Sequence, residues 1–150
     1  MDNRITRPTP SDREVDWNKT KVLLSKTDTK GTILYANEAF IDVSGYDEHE
    51  LIGHAHNIVR HPDMPKVIFK VLWENLKNGK NFHAIVKNLA KSGRFYWVIT
   101  DFEICRDEND AIVNFIVKNT KRITTTQKTQ NKMSIIFNAI FFLASILNTC

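Results

Sequence analysis

Between His54 and Asp63 the chain places three of its five histidines, an arginine and a carboxylate within a short run, His54-Ala55-His56-Asn57-Ile58-Val59-Arg60-His61-Pro62-Asp63. Neutral imidazoles can ligate a metal or haem iron, and His49 and His83 add to that supply. The Arg60 guanidinium can pair with phosphate oxygens, and His61 and Asp63 can hydrogen-bond polar groups. Further along, Trp73 offers a flat apolar surface, and Asn37 and Asn88 carry carboxamides that both donate and accept. Each also has a structural use. Asp63 and Asn37 stand where helices need caps, Arg60 and His61 can pair with acids on the surface, and Trp73 can serve the core.

Other chemistries find little support. There is no GxSxG, P-loop or glycine-rich dinucleotide fingerprint, and no Ser or Cys nucleophile in a recognisable setting, so the sequence points away from an enzyme. Cys105 and Cys150 are the only cysteines and lack CxxC or zinc spacing, which suits free thiols in a reducing compartment. The net charge is +4, but basic side chains are scattered among 17 acidic ones, which argues against a nucleic-acid footprint. Met1 to Trp17 is polar and charged without an apolar signal core, which predicts a cytoplasmic chain.

The elements that must position these residues can be read from pattern. Pro8 and Pro10 mark a flexible arm, and Ser11 followed by Glu14 predicts a capped helix from Asp12 to about Thr20. Val22 to Ser25 and Thr32 to Tyr35 read as a hairpin around Asp28-Thr29-Lys30-Gly31. Short helical pieces follow at Glu38 to Val43, with Asn37 as cap, and at Glu48 to Ile52. From Met64, apolar Val67, Ile68, Val71, Leu72 and Leu76 fall at helical spacing, with Asp63 as cap and Gly79 past the end. Phe82 to Asn88, Arg94 to Cys105 and Ile112 to Lys118 are β-rich runs separated by turn formers.

The order predicts an α+β fold: a five-stranded antiparallel sheet with short helices and one longer helix on one face. The organisation is an arm and cap helix over 1–21, one domain over 22–120, and a polar linker with an apolar C-terminal segment over 121–150. Met133 to Leu147 is almost wholly apolar, but at about 15 residues is shorter than a bilayer span requires. It reads as a helix packed on a partner or a second copy, with membrane contact or a coding-end artefact as alternatives.

The run His56-Asn57-Ile58-Val59-Arg60-His61-Pro62-Asp63-Met64-Pro65 resembles the PAS domain of bacterial aerotaxis receptors and similar chemotaxis proteins. Val43-Ser44-Gly45-Tyr46, Glu50-Leu51-Ile52-Gly53, Tyr35-Ala36-Asn37-Glu38-Ala39-Phe40, Ile85-Val86-Lys87-Asn88 and Tyr96-Trp97-Val98 extend the resemblance over roughly residues 22 to 120. It implies a PAS fold enclosing FAD. The flavin's redox state would report energy or oxygen status to a membrane-bound, methyl-accepting chemotaxis transducer. The cofactor-binding positions it implies are Asn37, His56, Arg60, His61, Asp63, Trp73 and Asn88. Phe82 stands where many relatives carry Trp, and Leu89-Ala90 where they carry a basic pair. FMN, haem or no cofactor are therefore alternatives, and the second functional reading is a cofactor-free or haem-binding module for protein interaction or homodimerisation. A light-driven cysteinyl adduct needs a cysteine in the helical region, whereas Cys105 falls in a strand and Cys150 in the tail.

Overall fold

The computed structural model describes residues 5–121. The apolar C-terminal segment and its linker, with Cys150, lie outside the described residues. The chain forms β1 (Val22–Asp28), β2 (Ile33–Ala36), α1 (Glu38–Ser44), α2 (Glu48–Leu51), a single 3-10 turn (His56–Val59), α3 (Lys66–Lys77), β3 (Phe82–Leu89), β4 (Phe95–Arg106) and β5 (Ile112–Lys121). The strands make one antiparallel sheet in the order β2-β1-β5-β4-β3. This is the α+β architecture that the sequence pattern predicts.

Alternation decides which face of the sheet is covered. Leu23, Ser25 and Thr27 on β1 and Phe115, Val117 and Asn119 on β5 are buried, while their neighbours along each strand are half-exposed. The largest apolar cluster joins this face to Phe40, Val43, Leu51, Val59 and Ile68 from the helical connection. A smaller cluster of Leu72, Leu76 and Phe115, with Phe69, Trp73 and Phe102 packed against it, lies beside it.

Side chains tie the short connecting elements in place. The Asp28 carboxylate accepts from the Lys30 and Thr32 amides at 2.9 and 2.8 Å, fixing the β1–β2 turn. Those bonds, the one to Thr32 first, hold its pKa below the usual carboxylate value. Glu50 accepts from the Asp47 amide at 2.9 Å and from Lys91 Nζ at 2.7 Å, joining α2 to the β3–β4 turn. The connection also covers both edges of the sheet. The Ile33 amide of β2 donates to the His54 carbonyl and the Gly53 amide to the Ile33 carbonyl, while Arg60 bridges Asn88 of β3.

Two expectations are corrected. Helix α3 begins at Lys66 with Pro65 as its cap residue, not at Met64 with Asp63 as cap. A proline disfavours helical geometry in the residue before it, so Met64 stays outside the helix at a bend, and its side chain is buried in the core. The Asp63 carboxylate instead meets Lys87 Nζ at 2.9 Å.

The predicted helix over Asp12 to Thr20 is an extended strap. Val15 N–H donates to the Phe95 carbonyl at 2.8 Å, Phe95 N–H donates to the Arg13 carbonyl at 3.0 Å, and Ser11 N–H donates to the Gly93 carbonyl at 2.8 Å. Among the described residues the β4–β5 pairing runs as far as Val98 and Lys121, and beyond it the N–H and C=O of Phe95 are taken by the strap. Buried backbone groups need partners, and satisfying them outweighs a short helix that is marginal alone.

Gly93 allows this close approach. A Cβ there would lie 2.3 Å from the Thr9 carbonyl oxygen, and the residue has φ +83°. Gly53 has the same φ but open space around it. Gly93→Ala is expected to cost about 2 kcal/mol or more, against about 1 kcal/mol for Gly53→Ala, in chemical denaturation. Equal costs would show that the strap does not constrain position 93.

Candidate functional site

Where the two apolar clusters meet under α3, the sheet and helices leave a cavity of about 260 Å³. Its floor is the covered sheet face: Thr27, Val86, Asn88, Thr100, Phe102, Phe115, Val117 and Asn119. Its walls are Phe69, Leu72, Trp73 and Leu76 of α3, His56, Asn57, Val59 and Arg60 around the 3-10 turn, and Lys30 and Gly31 of the β1–β2 turn. This volume lies near the lower end of the roughly 300–1,000 Å³ typical of small-molecule sites.

The lining is apolar with a few directed polar groups. Thr100 Oγ1 donates to Asn119 Oδ1 at 2.7 Å, and both residues are buried. Asn88 is buried opposite Tyr96, whose fully buried phenol is pushed well above its ordinary pKa by burial. His56 Nε2 lies 2.9 Å from Ser25 Oγ, and its ring stacks on Phe40 with centroids 5.7 Å apart. Enclosure of the ring pushes the His56 pKa down to about 4, so the imidazole is neutral at physiological pH.

Two cations border the cavity, Arg60 after the 3-10 turn and Lys30 in the β1–β2 turn. The Arg60 guanidinium carbon sits 4.6 Å above the Phe69 ring, while its buried Nε has no hydrogen-bond partner among the described residues. Among the described residues neither Arg60 nor Lys30 forms a salt bridge with a carboxylate. An orphaned guanidinium N–H beside an apolar cavity suits an anionic group on a ligand. The donor set therefore fits a molecule with a flat apolar body, a hydrogen-bonding edge and an anionic tail.

Of the seven residues singled out from the sequence, His56, Arg60, Trp73 and Asn88 line this cavity. Asn37, His61 and Asp63 stand elsewhere. The Asn37 carboxamide accepts from the Leu24 and Phe40 amides and donates to the Val22 carbonyl, which spends it on structure. His61 is buried, its Nδ1 accepts from the Asp63 amide at 3.1 Å, and burial followed by the nearby Lys87 charge lowers its pKa. Asp63 is exposed, and its hydrogen bond from Lys87 holds its carboxyl below the usual range. Among the described residues no three His, Cys, Asp or Glu side chains group as metal ligands.

Thr27, Thr100 and Asn119 line the cavity but were not anticipated. A signal was available: polar residues occupy inward positions of alternating strands, as in Leu23-Ser25-Thr27 and Phe115-Val117-Asn119.

The family follows from comparison with known proteins. A family model described as the PAS fold matches residues 33–118, and the chain belongs to that family. The chain is 51% identical over 76 residues to the aerotaxis receptor of Escherichia coli (strain K12), covering 51% of this chain and 15% of that protein. It is 27% identical over 84 residues to phototropin-2 of Oryza sativa subsp. japonica, covering 56% of this chain and 9% of that protein. The chain thus spans only a small part of the length of these curated relatives. Its fold is similar to the light-state structure of the blue-light photoreceptor Aureochrome1 LOV, with TM-score 0.67, 18% identity, and coverage of 78% of this chain and 91% of that one. Among the described residues no helix is long and apolar enough to cross a membrane.

A neutral, enclosed imidazole has a pH signature. The unfolded chain binds a proton at His56 below about pH 6.5, and the folded protein resists it until about pH 4, so stability falls as pH drops through this window. His61, whose pKa is also lowered, adds to the same trend. His56→Gln is expected to flatten the rise of the urea midpoint between pH 4 and 6.5. An unchanged slope would mean that His56 is not held neutral.

Proposed function

We propose that this chain is a PAS sensor over residues 22–120 whose cavity holds a flavin, FAD by preference over FMN. In this reading it acts in signalling rather than catalysis. The observation that carries it is the apolar cavity under α3, with Trp73 on its wall and the unpartnered Arg60 Nε at its side. The isoalloxazine would lie in the apolar space, with Asn88, Asn119 and Thr100 facing its polar groups and Arg60 and Lys30 facing its phosphates. When bound, the flavin supplies the electron chemistry, and the protein supplies orientation and hydrogen bonds.

The similarity to the aerotaxis receptor supports reading the signal as redox, energy or oxygen status, passed in the cytoplasm to a membrane-bound, methyl-accepting transducer. A homodimer is a compatible form of the same module. His56 and Ser25 link the cavity to β1, so a change in charge or hydrogen bonding at the ligand would reach the sheet through that contact.

The test is a visible absorption spectrum of the purified protein, with identification of the molecule released on denaturation. Released FAD with flavin bands is expected. A Soret band would replace flavin with haem, and a colourless protein that takes up no added FAD would favour an interaction module. Arg60→Ala and Trp73→Ala should each weaken flavin binding about tenfold without unfolding the protein. Asn37→Ala should lower stability by about 1 kcal/mol while flavin per folded molecule stays unchanged. Normal occupancy in both cavity variants would overturn the site.

A further inference from the structure

Trp73 can lie against the β1–β2 turn because position 31 has no side chain. A Cβ at Gly31 would come within 2.8 Å of Cη2 and 2.9 Å of Cζ2 of the indole, inside normal carbon contact. On another side the indole meets the Phe115 ring edge-on, with centroids 6.0 Å apart and planes at 66°. The indole is therefore wedged between a turn and a strand. Exposed Lys30 and half-buried Trp73 border the cavity here, as exposed Ala55 and Asn57 do beside the 3-10 turn, so this stretch of its wall meets solvent.

We infer that Gly31 and Trp73 form a matched pair that sets the width of the cavity mouth. Gly31, which offers a ligand no functional group, is thereby a specificity-determining residue for planar aromatic ligands. Any side chain at position 31 forces the indole to move. Inward it fills the space a ring would occupy, and outward it leaves the ring without a wall. The ligand class rests on the flavin reading above, whereas the steric pairing does not.

Backbone geometry offers a competing reason for glycine, since its φ is +86°. The two reasons separate cleanly, because only the steric one depends on the size of residue 73. A double-mutant cycle in the 150-residue chain tests this, using native protein, Gly31→Ala, Trp73→Phe and the double variant.

The first readout is iodide quenching of tryptophan fluorescence after flavin removal. Trp17 and Trp97 are 8% and 4% exposed, so the accessible signal belongs to Trp73. Gly31→Ala should change the quenchable fraction, and an unchanged fraction would overturn the pairing. The second readout is riboflavin affinity by titration. Gly31→Ala should cost about tenfold with Trp73 present and less than about twofold in the Trp73→Phe background. An equal loss in both backgrounds would assign Gly31 to backbone strain and overturn the inference. If native protein binds no riboflavin, FMN or FAD, the flavin reading fails, and the iodide result still decides the pair.

Discussion

The carboxamide of Asn37, just after β2, joins β1 to α1. Its oxygen accepts from the amides of Leu24 on β1 and Phe40 on α1 at 3.0 Å each, and its nitrogen donates to the Val22 carbonyl at 2.9 Å. Its own amide donates to the Leu24 carbonyl at 2.9 Å. An isolated helix as short as α1 would not persist in water, so its position depends on this junction and on the burial of Phe40 and Val43. Phe40 in turn supports the His56 ring, and His56 borders the cavity. A chain of contacts thus runs from one side-chain amide to the ligand space.

That space carries an electrostatic asymmetry. The polar groups set into the sheet are neutral, with Asn88, Asn119 and Thr100 buried and His56 held uncharged by its enclosure. The cations Arg60 and Lys30 stand at the wall. Desolvating a charge is costly unless it is paired, so neutral amides rather than cations fill the depth, and among the described residues the buried Arg60 Nε is left wanting an acceptor. Lys87 shows the alternative: buried beyond the cavity, it is matched by Asp63 at 2.9 Å and by the Phe95 ring at 4.7 Å.

Much of this was legible in the residue pattern. The apolar periodicity of Ile68, Val71, Leu72 and Leu76 located α3, and the turn formers separated β3, β4 and β5. Ser11 and Glu14 misled because they satisfy a helix-capping pattern, while their segment is claimed by Phe95, a partner about 80 positions away that no local pattern can reveal. Asp63 misled in the same way, since the effect of Pro65 and the partner Lys87 both had to be weighed. His56, Arg60, Trp73 and Asn88 came from the family resemblance. Thr100 and Asn119 escaped notice because their meaning depends on register: they become a buried pair only when β4 and β5 align.

The helical connection has a further effect on how this molecule can meet others. It leaves β2 with Gly53 and His54 on the outer backbone of Ile33, and it reaches β3 with Arg60 against Asn88. One covalent segment therefore straddles the open sheet and occupies part of both its rims, as a strap closes a book. At Ile33 and at the Lys87–Asn88 end of β3 the rim backbone is thereby closed to another chain's strand. Contact at those positions goes through side chains, where specificity can be written residue by residue, rather than through the main-chain pairing that any polypeptide could supply.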